Sequence, residues 1–208
     1  MRSYGQYCSV ARALDVVGDR WSLLIVRELL LRGPSRYTDV REGLPGIATN
    51  LLVDRLRDLE EAGVVTRVDA PPPVATTLYE LTPRGSELAP VLDALGLWGA
   101  ELMVRPQGPD AFHSYWLAFP LGRLRDNAPD LPPVAIQLRT GDEPMVVETV
   151  DGHVRARPGT VENPDAVLSG PPGPVMAVLL GLLTIAEATS RGLRIEGDRA
   201  AVERLRRR

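Results

Sequence analysis

The sequence predicts an α+β fold in two parts, and three observations support this prediction. Helical periodicity dominates residues 1–104, whereas strand-like runs (134–138, 145–150 and 153–156) and an apolar helix occupy residues 111–208. Residues 105–110 between them are polar and contain proline and glycine, which is typical of a linker. Hydrophobic residues make up 44% of the 208 residues, so each part can bury a core of its own.

Four helices are predicted at the start of the first part. Apolar residues recur at helical spacing in each, and glycine or proline marks the ends. The predicted segments are residues 10–17 before Gly18, 21–30 before Gly33-Pro34, 37–44 before Pro45-Gly46, and 49–62 before Gly63. We expect Trp21, Trp98 and the leucine stripes of these helices in the core, where large apolar side chains usually lie.

The third and fourth helices, with the turn 45–48, form a predicted helix-turn-helix. Its second helix enters the major groove of DNA in this geometry. Leu52, Leu56 and Leu59 form its buried stripe, so the residues off the stripe face outward. These candidate DNA-reading residues are Thr49, Asn50, Val53, Asp54 and Arg57. Asparagine pairs with adenine, and arginine with guanine or a phosphate.

A hairpin and a further helix follow. Residues 64–68 and 77–81 are predicted strands around the loop 69–73, which completes a winged helix. Thr82 and Pro83 are suited to the N-cap and the first position of the next helix. That helix is apolar on more than one face (Leu88, Val91, Leu92, Leu95, Trp98). We therefore expect part of it to pack on a second subunit, in a two-fold dimer that reads a palindromic site.

Residues 8–103 resemble the HxlR family of bacterial winged-helix transcription regulators. The matching segments are Cys8, Ala13–Asp15, Gly18–Trp21, Leu29–Gly33, Arg36–Asp39, Leu44–Ile47, Leu51–Leu52, Arg55–Leu56, Leu59–Glu60, Gly63–Val65 and Tyr79–Thr82. The resemblance implies homodimeric DNA binding, usually as a repressor. Two positions depart from the family pattern: Ala48 replaces a capping serine, and the wing lacks the usual basic residue. Arg67 is then the wing's positive charge, and Arg36 is the better candidate for a phosphate contact.

Residues 111–205 resemble a sterol-carrier-protein-2-like domain. The matching pieces are Val134–Leu138, Pro158–Gly159, Pro164–Gly170, Val178–Gly181 and Gly192–Asp198. The resemblance implies an α/β domain with an apolar tunnel between a curved sheet and helices, and therefore an apolar ligand. Phe112, Trp116, Phe119, Met176, Leu179, Leu180 and Leu183 are the candidate ligand-binding residues. They are equally suited to filling the same space as core.

Several residue patterns limit other functions. Cys8 is the single cysteine, so it is an inert thiol, a redox sensor, or one half of a bridge across a dimer. His113 and His153 stand apart from other metal-ligating residues, so no metal site, cofactor or catalytic group is predicted. The apolar run 175–186 is too short to span a membrane. Without an export signal, we expect a cytoplasmic protein.

These observations predict a homodimeric regulator that binds a double-stranded DNA operator and responds to an apolar small molecule in its second part. The formal net charge of −3 and the weakly basic wing favour an alternative. In it, the protein is a carrier of lipids or other hydrophobic molecules, and the winged helix serves dimerisation or protein docking. An enzyme is not predicted, because the sequence shows no nucleophile elbow, phosphate loop or dinucleotide fingerprint.

Overall fold

The computed structural model describes residues 3–71, 76–105 and 108–207. The chain divides into two compact units, Met1–Leu92 and Asp93–Arg208. The predicted linker, residues 105–110, falls within the sequence range of the second unit, and its residues 106 and 107 lie outside the described residues.

The first unit opens with the predicted four helices. Their bounds are α1 (Ser9–Val17), α2 (Ser22–Arg32), α3 (Tyr37–Glu42) and α4 (Thr49–Glu61). The core consists of apolar side chains spaced three or four residues apart, among them Ile25, Val40, Leu52, Leu56 and Leu59. The leucine stripe predicted for the fourth helix is therefore confirmed as its buried face.

The hairpin is also confirmed. Strands β1 (Val65–Asp69) and β2 (Thr77–Leu81) pair antiparallel, with Val65 opposite Leu81. Thr82 caps the next helix as predicted, because its hydroxyl accepts a hydrogen bond of 3.0 Å from the Gly85 backbone N–H. That helix is not continuous, however. It consists of α5 (Pro83–Ser86) and α6 (Ala89–Gly99). Pro90 lacks the N–H that a continuous helix would need there.

Neither Trp21 nor Trp98, both of which were expected in the core, is fully buried. Trp98, on α6, is 74% exposed. Trp21 precedes α2 as its N-cap, is only half-buried, and has a φ of 84°. The Arg20 guanidinium lies over its ring, 5.4 Å from the centroid. A helical apolar pattern therefore locates the helix, but it does not show whether every apolar residue on it points into the core of the same chain.

The second unit is built on a five-stranded sheet. Strands β3 (Ala135–Arg139), β4 (Met145–Val150), β5 (His153–Pro158), β6 (Ala166–Ser169) and β7 (Arg194–Gly197) lie in the order β5-β4-β3-β6-β7. The neighbours β3 and β6 are parallel, and the other neighbouring strands are antiparallel. The first three strands match the predicted strand-like runs closely. The other two lie in segments noted only for their resemblance to a sterol carrier.

The helices of the second unit include α7 (Ala118–Leu121), α8 (Pro172–Leu179), α9 (Ile185–Ser190) and α10 (Arg199–Leu205), with 3-10 turns at Ala100–Val104 and Ser114–Leu117. The apolar run 175–186 is not one helix. It is interrupted after Leu179, where Gly181 has a φ of 73°. Thr184 then caps α9 through a capping box with Glu187. Every residue of α8 is buried, so this helix forms the centre of the second core.

Candidate nucleic-acid interface and ligand cavity

The outer side of α4 presents the side chains predicted to read DNA. Thr49, Asn50, Val53 and Arg57 are exposed, and Asp54 is half-exposed, opposite the leucine stripe. Their common side follows from the helical repeat, since the three buried leucines leave these positions on the solvent side. The structure therefore brings the five predicted residues of α4 onto one accessible surface, which we call the reading face.

The start of α4 is held by α3 rather than by a cap of its own. Ala48 has the extended backbone of an N-cap (φ −71°, ψ 141°) but makes no side-chain cap hydrogen bond. The Tyr37 hydroxyl donates a hydrogen bond of 3.0 Å to the Thr49 carbonyl oxygen. Tyr37 is the first residue of α3, so this contact fixes the turn between the two helices of the helix-turn-helix.

Ion pairs reduce the positive charge near the reading face. Arg57 Nη2 donates to Asp54 Oδ1 at 3.1 Å. On the hairpin, Arg67 Nε donates to Glu60 Oε1 at 2.9 Å, and this hydrogen bond raises the pKa of the arginine. Arg36 is exposed at the start of α3. The wing loop's residues 72–75 lie outside the described residues.

Arg55 is a positioning residue that was not among the predicted site residues. It is partly buried and pairs with Asp19 before α2 and, at 2.9 Å, with Asp58 on its own helix. This pairing ties α4 to the segment between α1 and α2, so it orients the reading face without being part of it. One feature of the sequence pointed to this role: both Asp19 and Arg55 lie in the segments that carry the family resemblance.

Cys8 lies at the start of α1, where it is the N-cap residue and is exposed. The backbone N–H groups of Ala11 and then Val10, in the first turn of this helix, lower the pKa of its thiol. Arg12, one turn along, pairs with Asp15 at 3.5 Å. The helix terminus rather than the arginine therefore favours the thiolate.

The second unit contains a cavity of about 860 Å³. Its apolar walls include Leu102, Met103, Phe112, Trp116, Pro172 and Pro174, and its charged lining residues are Arg105, Asp110 and Arg191. We call it the apolar cavity. The Phe112 and Trp116 rings meet edge to face, with centroids 6.4 Å apart. These two aromatic residues are the members of the predicted ligand-binding set that line it.

The other predicted ligand-binding residues lie elsewhere. Met176, Leu179, Leu180 and Leu183 are buried in the core around α8 and its C-terminal turn, and they do not line the apolar cavity. Phe119 is half-buried on α7 and is also absent from its walls. The proline-rich start of α8 was not among the predicted site residues, although Pro171–Pro174 borders the cavity.

Two glycines allow the close approaches around this cavity. A Cβ on Gly173 would lie 2.4 Å from the Met103 carbonyl oxygen, and one on Gly141 would lie 2.5 Å from the Phe112 ring. Contacts this short do not occur with a side chain present. The cavity wall therefore depends on backbone packing against both Met103 and Phe112.

A second, more polar cavity of about 550 Å³ lies beside β3 and is lined by Gln137, Thr140 and Asp142, among others. Asp142 Oδ2 lies 2.5 Å from His113 Nδ1, and Asp142 Oδ1 accepts a hydrogen bond of 2.8 Å from the Ser114 backbone N–H. Burial opposes ionisation of Asp142, but these hydrogen bonds outweigh it and lower its pKa to about 2. The contacts of Asp142 with His113 and Ser114 hold the loop before β4 in place.

Neither a metal site nor a membrane-spanning helix is found in the part of the chain that the structure describes. Within it, no group of three or more His, Cys, Asp or Glu side chains is arranged to hold a metal ion. None of the helices built from those residues is long and apolar enough to cross a membrane.

A helix-turn-helix followed by a two-stranded wing, with a polar reading face on its second helix, defines the winged-helix class of DNA-binding proteins. Residues 16–107 match the family model described as HxlR-like helix-turn-helix. The chain is 37% identical to the HTH-type transcriptional regulator YvaP of Bacillus subtilis over 90 residues, which cover 43% of this chain and 82% of YvaP. It therefore belongs to the HxlR-like helix-turn-helix family, which confirms the resemblance of its first part.

Other relatives are regulators of the same kind. The HTH-type transcriptional regulator sll1512 of Synechocystis sp. is 36% identical over 97 residues, which cover 47% of this chain and 71% of that protein. YtcD of Bacillus subtilis is 35% identical over 103 residues, covering 48% of this chain and 79% of YtcD. A crystal structure of YtcD matches with a TM-score of 0.43 and 32% identity, over 47% of this chain and 99% of that chain.

Proposed function

We propose that this chain is a homodimeric transcription repressor whose DNA affinity changes when an apolar small molecule occupies its second unit. The observation that carries the proposal is the reading face of α4, opposite three fully buried leucines. Family membership supports DNA binding, since the relatives are HTH-type transcriptional regulators. This role implies a cytoplasmic protein.

In this proposal one reading face enters the major groove from each subunit. Asn50 pairs with adenine, and Arg57 contacts guanine or a phosphate. Asp54 accepts a hydrogen bond from cytosine, and it holds Arg57 in place through their ion pair. Thr49 and Val53 contact base edges and the thymine methyl group. Arg36 and Arg67 contact phosphates, which adds affinity without sequence information.

The test is a footprint on the DNA upstream of the chain's own gene, at stated salt, with wild type and Arg57→Ala. We expect a protected palindrome and a loss of about 1–3 kcal/mol of specific binding in the variant. Arg199→Ala is the matched control, because Arg199 is an exposed arginine at the start of α10 in the second unit. No footprint, or equal losses in both variants, would contradict the assignment of the reading face.

The proposed dimer is supported by apolar side chains that the chain leaves uncovered. On α6, Val91, Leu95 and Trp98 are exposed at a spacing of four and three residues. On α1, Val10 and Leu14 are exposed four residues apart. A helical stripe of this kind is typical of a surface that packs on another helix. A second copy of this chain is the partner that a two-fold DNA site requires.

The proposed ligand site is the apolar cavity. The five-stranded sheet, the fully buried α8 and a cavity bordered by aromatic rings support the resemblance to a sterol-carrier-like domain. A ligand there can alter DNA binding only if it binds the two states of the dimer with different affinity. Native mass spectrometry identifies a co-purified ligand. Unchanged operator affinity and complex lifetime with that ligand bound would refute this half of the proposal.

Cys8 is proposed as a redox sensor. Its exposed thiol, with a pKa lowered by the start of α1, supports reaction with an oxidant or electrophile. The test compares operator binding before and after diamide treatment in wild type and Cys8→Ser. We expect a change in wild type alone, and an equal response in both proteins would exclude Cys8 as the sensor.

The second candidate function is a carrier of hydrophobic molecules whose winged helix serves dimerisation or protein docking. The observation that favours it is the pairing of Arg57 with Asp54 and of Arg67 with Glu60, which reduces the positive charge available to phosphates. The same footprint separates the two functions, since a carrier protects no specific sequence.

A further inference from the structure

Charged residues as well as apolar ones line the apolar cavity. Phe112, Trp116 and Pro172 are apolar lining residues, whereas Arg105 and Arg191 are its two basic lining residues. All of these residues lie in the second unit. Asp110 adds one carboxylate, so the charged groups of the lining carry a formal charge of +1.

A contact within the unit positions Arg191. Arg191 follows the last turn of α9, and its Nη1 donates a long hydrogen bond of 3.5 Å to the Val104 carbonyl oxygen, next to Arg105. Helix α8 begins at the cavity with Pro172. The N-terminal end of a helix carries a partial positive charge, which adds to that of the two arginines.

We propose that the apolar cavity binds an amphipathic carboxylate: an apolar body lies against the Phe112 and Trp116 rings, and its carboxylate pairs with Arg191 and Arg105. This assignment names the ligand class for the ligand half of the proposed function and rests on it. A guanidinium keeps its charge at any physiological pH, so a wholly apolar ligand that covered it would remove water without replacing its hydrogen bonds. A carboxylate replaces those hydrogen bonds with stronger, charge-assisted ones.

The size of the cavity suits this class of ligand. Sites for small molecules usually measure roughly 300–1,000 Å³ and combine apolar walls with a few polar groups that fix orientation. The cavity, at about 860 Å³, has both features. Its apolar walls supply affinity, and the arginines select the charged end and hence the ligand's orientation.

The experiment is isothermal titration calorimetry of the full chain with two probes that share one alkyl chain, sodium decanoate and decan-1-ol. At about pH 7.5 the decanoate carboxylate is ionised. We expect decanoate to bind about tenfold more tightly, and we expect Arg191→Gln and Arg105→Gln each to weaken it about threefold to tenfold. Decanol affinity should stay unchanged in both variants, and added salt should weaken decanoate alone.

Two further variants separate the apolar and charged contributions. Arg194→Gln removes an exposed arginine of β7 that does not line the cavity, so it should leave both probes unaffected. Phe112→Ala should weaken both probes, because it removes apolar wall. Circular dichroism of each variant establishes that it is folded.

Equal affinity for decanoate and decanol, or no binding of decanoate, would overturn this inference. Equal losses in Arg194→Gln and Arg191→Gln would overturn it as well. The proposed function fails by a different measurement, because the operator footprint is made without any ligand. If both probes bind equally and change operator affinity, the ligand-responsive regulator stands and only the carboxylate assignment is lost.

Discussion

Helix α4 buries three leucines and presents polar side chains opposite them, whereas every residue of α8 is buried. In α4 the apolar period of the sequence separates inside from outside, so the functional side can be named from the chain alone. In α8 the sequence is apolar on all sides, and no period distinguishes a ligand wall from packed core. A one-sided pattern therefore indicates function, while an all-round pattern indicates only burial.

Consistent with this, the residues predicted on α4 share one exposed face, whereas those predicted around α8 fill the core. The apolar cavity is lined by Phe112 and Trp116, which lie just before and within the 3-10 turn Ser114–Leu117, and by the start of α8. Those surfaces form through long-range packing.

The largest expected effect tests the difference in burial between the two helices. Met176→Ala, in α8, should lower the free energy of unfolding by about 2–5 kcal/mol, because it leaves a cavity among fully buried neighbours. Val53→Ala is the control on α4, where the side chain is exposed, and should change it by less than about 0.5 kcal/mol. Urea denaturation measures both. Similar losses would mean that Val53 is covered in solution.

The next effect concerns the apolar residues that α6 leaves exposed. Trp98→Ala should weaken the proposed dimer by about 2 kcal/mol or more, roughly thirtyfold in its dissociation constant, because central tryptophans dominate such interfaces. Sedimentation equilibrium provides the measurement. Glu87→Ala, at an exposed site outside the stripe, should have little effect. A wild-type protein that stays monomeric at micromolar concentration would contradict the dimer.

A smaller effect distinguishes the two helix starts. Helix α9 has a complete capping box at Thr184, whereas Ala48 leaves α4 without a side-chain cap. Ala48→Ser should stabilise the protein by up to about 1 kcal/mol, since a serine hydroxyl accepts from a free N–H of the first turn. Thr184→Ala should destabilise it by about 1 kcal/mol. Thermal denaturation of both variants checks the opposite signs, and a destabilised Ala48→Ser variant would show that the uncapped start is preferred.

The smallest effect is a pH dependence in the second unit. The pKa of Asp142 is about 2 when folded, below its usual value of about 3.9 in an unfolded chain. Because folding lowers this pKa, the ionised Asp142 carboxylate stabilises the folded protein fully at a pH above its unfolded pKa. This stabilisation is lost as the pH falls from about 4 to about 2. The stability difference between wild type and Asp142→Asn should therefore shrink as the pH falls from about 4 to about 2. A constant difference would show that the carboxylate charge is not what stabilises the loop.

Much of the fold was accessible from local pattern. The leucine stripe of α4, the hairpin and the Thr82 cap agree with prediction, and β4 has the predicted bounds Met145–Val150. Each depends on residues within a few positions of one another, where helical and strand periods or turn chemistry dominate. The family resemblance of the first part depends on the same local segments.

The features that were predicted wrongly, or not predicted at all, depend on contacts between residues distant in the sequence. The exposure of Trp98 reflects what the rest of the chain leaves uncovered, and its apolar character alone does not specify a partner in the same chain. The interruption between α8 and α9 was indicated by Gly181, but the short strands β6 and β7 required knowledge of their neighbours in the sheet. Arg55 becomes a positioning residue only because folding brings Asp19 beside it.

The order of apolar and polar residues was sufficient to define the winged helix and the outward side of α4, because a helix repeats every few residues and its buried face is encoded locally. The apolar cavity was not encoded in that way. Its wall includes the close contact of Gly173 with Met103, and it is also lined by Arg191 and Trp116, residues far apart in the chain. Which apolar residues enclose space and which fill it follows from packing between distant segments, to which local periodicity is blind.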